Sequence, residues 1–174
     1  MRRRKPYSVS ISEGSCPWMH HKKRPEAEVV CLVIKKENRM QMKKSPGGSI
    51  FPYPYKGGEL FGLHYGSFHA DEDALLARMQ AEEQFMVEAR CHLPVWFDLY
   101  ETELSDRVLA ALVATIDRLK GNMTRLALVG CSARDRRRFL QTMKKLGNGF
   151  TGPLRFFSDP EVAKSWLIGE SGRN

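Results

Sequence analysis

Four cysteines and five histidines are the side chains best suited to nucleophilic, redox or metal chemistry. Their spacing limits what they can do. Cys16, Cys31, Cys91 and Cys131 contain no C-x-x-C pair, so neither a redox motif nor a zinc knuckle is spelled out. Cys91 and Cys131 stand among apolar residues, where a thiol behaves as a small hydrophobe. Cys16, His20, His21 and Cys31 could be gathered into a zinc site, but structural zinc sites use tighter pairs than these, and no metal site is expected. His64 and His69 flank a strand and His92 lies in a loop, with no two at ligand spacing on one element. The chain has no G-x-S-x-G, P-loop or G-x-G-x-x-G motif. No histidine is matched to a nucleophile, and Cys131, near Asp135, lacks an assigned base. No catalytic residue and no cofactor is therefore expected.

One loop does carry binding chemistry. Gly130–Arg134 follows a strand and opens a helix, so the backbone N–H groups around Cys131 and Ser132 are placed to hold an anion, helped by Arg134, Arg136, Arg137 or Arg138. The plainer alternative is a solvated helix face, because consecutive arginines on a helix point in different directions. Tyr53, Tyr55, Tyr65, Tyr100 and Trp96 could line a groove for an apolar ligand, or serve only in packing.

These residues need elements to position them, and from residue 49 the pattern is regular. Ser49–Tyr55 and Glu59–Phe68 read as a β-hairpin turning at Lys56-Gly57-Gly58, the glycines supplying positive φ; Pro52 and Pro54 confine the first strand to an edge. A helix is expected over 71–89, with its apolar stripe on Leu75, Leu76, Met79, Met86 and Val87. Pro94–Tyr100 reads as a strand covered on both faces. Ser105 caps a helix running to Lys120, with a stripe of Val108, Leu109, Leu112, Val113, Ile116 and Leu119. Thr124–Gly130 is a second buried strand. Ser132 and Asp135 form a capping box for a helix whose stripe is Phe139, Leu140, Met143 and Leu146. Leu154–Phe157 is a short strand, and Pro160 opens the last helix, which buries Val162, Ala163, Trp166 and Leu167. A hairpin followed by alternating helices and strands predicts an α/β fold: a mixed, mainly parallel sheet packed against about four helices.

Charge divides the chain differently. Residues 1–48 hold 12 Lys and Arg against 4 Glu, whereas residues 49–174 hold 16 of each sign. The whole excess of +8 therefore lies outside the regular part, so nucleic-acid binding is not expected of that domain. Residues 1–48 read as a basic, disordered extension able to touch RNA, DNA or anionic lipid. An alternative is that Lys36-Glu37 derives from a ribosome-binding sequence and translation starts at Met40 or Met42, leaving residues 1–39 untranslated. The longest apolar run, Ala27–Ile34, is too short to span a membrane and contains Glu28. A cytoplasmic protein is expected, with a domain at 49–170 and a tail at 171–174.

Three stretches carry a family resemblance. Val95-Trp96-Phe97-Asp98-Leu99 resembles the central strand of the STAS domain, and Leu126-Ala127-Leu128-Val129-Gly130 the next. Phe156 to Leu167 resembles the closing segment, F-x-D-x-x-x-A-x-x-W-L, of SpoIIAA-like families. The resemblance covers residues 49–170 and implies a non-catalytic regulatory module of bacterial signalling that docks a protein partner or small ligand. It also implies a partner loop at Tyr100, Thr102, Ser105, Asp106 and Arg107, where phosphorylated members carry Asp-Ser-Ser-Gly-Leu. That motif is missing here, so Ser105 is either a modified residue or only a helix cap. A domain for lipid or another apolar ligand is the alternative.

Overall fold

The computed structural model describes residues 42–90, 92–146 and 150–169. They belong to one compact unit, Met40–Asn174. The strands are β1 (Lys43–Lys44), β2 (Ile50–Phe51), β3 (Tyr53–Tyr55), β4 (Gly58–His64), β5 (Leu93–Asp98), β6 (Met123–Val129) and β7 (Leu154–Phe157); the helices are α1 (Glu72–Ala89), α2 (Asp106–Leu119), α3 (Ala133–Leu146) and α4 (Pro160–Leu167). Strands β3 to β7 lie side by side in chain order. β3 is antiparallel to β4, and β4, β5, β6 and β7 are mutually parallel. The α/β class with a mixed, mainly parallel sheet and four helices is the one found.

Period-two alternation sorts the strand residues onto two faces. Phe61, Leu63, Val95, Phe97, Leu126 and Leu128 face a large core shared with Leu75, Met79 and Met86 of α1, the apolar stripe of α2, and Phe139 of α3. Leu60, Trp96, Ala127 and Val129 face the other way, against Ala163 and Leu167 of α4. Three helices thus cover one face and α4 covers the other. The α2 stripe is buried as its spacing predicts. The α3 stripe is only partly so: Phe139 is buried, but Leu140 and Leu146 are 45% and 50% exposed. α3 packs beside β7, the last strand, where no further strand among the described residues extends the sheet beneath it.

Three expectations are corrected. The segment 49–55 is two strands that belong to different sheets: β2 pairs with β1, and β3 with β4. The hairpin turn is Lys56-Gly57, both at positive φ as a type I′ turn requires, while Gly58 already belongs to β4. The folded part also begins before residue 49. Lys43–Lys44 form β1, and Ser45 Oγ and the Gly47 N–H both donate to the Glu82 carboxylate of α1, with Ser49 Oγ donating to the Gly62 carbonyl at 2.6 Å. Residues 42–48 are thus tied down by a buried glutamate 37 positions from Ser45. The expectations for residues 1–41, including the zinc set, and for the tail at 171–174 lie outside the described residues.

Candidate functional site

The turns that leave the C-terminal ends of β4, β5, β6 and β7 lie along one edge of the sheet. The turns after β4 and β5 are laced together. Tyr65, Ser67 and His69 donate backbone N–H groups to the carbonyls of Asp98, Tyr100 and Glu101, and Glu103 returns one to His69. Three non-glycine residues here, Ser67, His69 and Glu101, have positive φ. Thr102 locks the lacing: its hydroxyl donates to the Tyr65 carbonyl at 2.7 Å and accepts the Phe68 N–H at 3.2 Å. Asp98 accepts the Tyr100 N–H and lies 3.3 Å from His64 Nδ1. The His64 contact, ahead of the Tyr100 N–H, holds its carboxyl below the ordinary aspartate value.

The expected partner loop is not one cluster. Ser105 Oγ accepts the Val108 N–H and caps α2. Asp106, almost fully exposed, pairs with Arg138 of α3 at 2.9 Å, which lowers its carboxyl. Arg107 turns toward α1 and pairs with Asp73 at 2.8 Å. Thr102 is committed to the lacing. Only Tyr100 reaches further: its hydroxyl donates to the Ser158 carbonyl, after β7, and its ring and backbone close over Gly130. A Cβ at Gly130, whose φ is +88°, would sit 2.8 Å from the Tyr100 nitrogen. Tyr100 therefore joins the turns after β5, β6 and β7.

Between the last two of those turns lies a cleft of about 560 Å³. α3 leaves β6 toward one face and α4 leaves β7 toward the other, so the two turns diverge. Ligands in open α/β sheets bind where such a reversal opens a crevice. One wall is Cys131, Ser132, Ala133 and the first turns of α3; the other is Phe156, Phe157 and Ser158. Arg136 and Arg137 line it, with Leu140 at the rim, and the Arg136 guanidinium lies 5.0 Å from the centre of the Phe156 ring. Arg134, the arginine expected at the anion loop, is exposed and does not line the cleft. One helical turn carries Arg136 and Arg137 toward β7 and Arg138 away to Asp106 and the Leu104 carbonyl. The capping box is also modified. Ser132 Oγ accepts the Asp135 N–H, but the Asp135 carboxylate accepts a hydrogen bond from the Ser132 hydroxyl at 2.5 Å rather than from a backbone N–H. Burial, and then Asp135, pushes the Cys131 thiol up to about 12, so it stands in the wall as a neutral group.

The five aromatics do not share one groove, although Tyr53 and Trp96 line a smaller cleft of about 300 Å³ with His64 and Lys164. Tyr65 is buried in the three-helix core against Phe97, whereas Tyr53, Tyr55 and Trp96 lie on the α4 face. There the Lys164 ammonium sits 5.5 to 5.7 Å from all three ring centres and pairs with Glu161. His92 contacts the Gly121 carbonyl at 2.9 Å. Among the described residues no group of three His, Cys, Asp or Glu is arranged around a metal position, and no helix is long and apolar enough to cross a membrane. No family model, curated protein or solved structure matches the chain.

Proposed function

We propose that the domain is a non-catalytic binding module that recognises an acidic group in the cleft between the β6–α3 and β7–α4 turns. The observation that carries this is the pair Arg136 and Arg137 in a crevice with an aromatic wall, opened where the covering helices change face. Of the hydroxyl and thiol groups singled out in the sequence, Ser132 caps α3, Ser105 caps α2, Thr102 bridges two turns, and Cys131 is held as a neutral thiol. That inventory supports binding over nucleophilic chemistry. The STAS-like motifs support a place in bacterial cytoplasmic signalling, with Tyr100, bonded to the Ser158 carbonyl beside the cleft, as the residue that couples the turn after β5 to it. Each of three clefts on the described surface has charged side chains in its lining, which favours a polar ligand over a lipid.

Inorganic phosphate is the simplest probe. Titrated into the ¹⁵N-labelled full chain, it should shift the amides of residues 131–137 and 156–158 in a saturable, salt-weakened manner. Absence of shifts there at millimolar phosphate would refute the cleft as an acidic-group site.

A further inference from the structure

The edge formed by β7 is built differently from the opposite edge. β3 carries Pro54 and follows Pro52, and proline at an edge discourages pairing with another chain. β7, Leu-Arg-Phe-Phe, has no proline within it and borders only β6 among the described residues; Pro153, just before it, turns its backbone toward β6 and so takes no N–H from the outer side. The Pro153 carbonyl accepts from Leu126 and the Phe157 carbonyl from Gly130, so the odd-numbered positions turn their backbone inward. By the alternation of a strand, Leu154 and Phe156 then direct their N–H and C=O groups outward. Leu154, Phe156 and Phe157 are each only partly buried.

The charge beside this edge is one-sided. Arg136, Arg137 and Arg155 are exposed along it. The neighbouring acids are engaged: Asp135 with Ser132 and Arg138, Asp159 with the first N–H groups of α4, and Glu161 with Lys164. A second copy of the same edge would bring like charges together. We propose that β7 is the docking edge for an acidic extended segment of a partner protein, which adds as a strand beside Leu154–Phe157 and lays a carboxylate into the cleft at Arg136 and Arg137. Main-chain hydrogen bonds then give affinity, and the flanking cleft gives specificity. This rests on the cleft reading and names its occupant.

The test uses the full chain and two synthetic nonapeptides, one alternating aspartate with valine, the other lysine with valine. The aspartate peptide should slow hydrogen exchange at the Leu154 and Phe156 amides, and the lysine peptide should not. Arg137→Glu should weaken aspartate-peptide binding about ten-fold or more. Leu154→Pro, which removes an outward N–H without touching the β6 ladder, should do likewise while circular dichroism shows the fold retained; should it fail to fold, Arg137→Glu decides alone. Equal protection by both peptides, or unchanged affinity in Arg137→Glu, would overturn the proposal. If phosphate shifts the cleft amides but neither peptide protects β7, the strand-docking proposal fails and the cleft reading stands; if neither probe acts, both fail.

Discussion

At the scale of single residues, environment decides chemistry more than residue type does. Cys131 sits at the mouth of a helix, a place that often activates a thiol, yet burial dominates and keeps the proton on sulfur. At pH 8, iodoacetamide should therefore alkylate Cys131 in the native protein far more slowly than in the urea-unfolded chain, read by mass spectrometry of the peptide that contains it. Equal rates would contradict the assignment. The apolar neighbours of Cys131 made its inertness legible in the sequence, as the serine before Asp106 made the α2 cap legible. The choice among four nearby arginines was not. Which of Arg134, Arg136, Arg137 and Arg138 faces the cleft depends on how α3 lies against β7, and no local pattern encodes that.

At the scale of elements, the sheet and helices were legible because their apolar spacing has the right period. The short strand β1 was not. Two lysines carry no strand signal, and the group that fixes the segment is Glu82, far along the chain. Glu82 has no exposed surface, and its Oε2 lacks a partner among the described residues. Burial raises its carboxyl above the ordinary value, outweighing the hydrogen bonds from Ser45 and Gly47 that favour the charged form. The folded state therefore keeps this proton to higher pH than the unfolded chain does. The contribution of Glu82 to stability is greatest below the unfolded glutamate value and falls as pH rises through the raised folded one. Between about pH 4 and about pH 7, urea unfolding should show wild type losing more stability, relative to its value at the acid end, than Glu82→Gln. Parallel pH profiles would contradict this. A second element-level outcome concerns Gly62 on β4. A methyl group there would overlap the Trp96 indole, so Gly62→Ala should cost about 1–3 kcal/mol by overpacking, read from the urea midpoint. A neutral result would mean that the α4 face is looser than Trp96, Tyr53 and Lys164 indicate.

At the scale of the whole molecule, chain-order strands with three helices on one face and one on the other create a single reversal, and the reversal creates the cleft. The pattern of strands and helices predicts the class of fold but not the face each helix covers. For that reason the cleft's wall at Phe156 and Phe157 could not be foreseen from the Gly130–Arg134 loop. The same global arrangement separates residues expected to act together: Arg107 goes to α1, Asp106 to α3, and Tyr100 to the turn after β7. The central claim is that recognition belongs to the β6–β7 cleft and not to the Ser105–Arg107 stretch. The most direct measurement is the phosphate titration repeated on Arg137→Glu and Ser105→Ala. Arg137→Glu should abolish the saturable shifts at residues 131–137 and 156–158, and Ser105→Ala should leave them intact apart from a loss of about 1 kcal/mol in stability from the missing cap. Retention of the shifts in Arg137→Glu together with their loss in a folded Ser105→Ala protein would contradict the account.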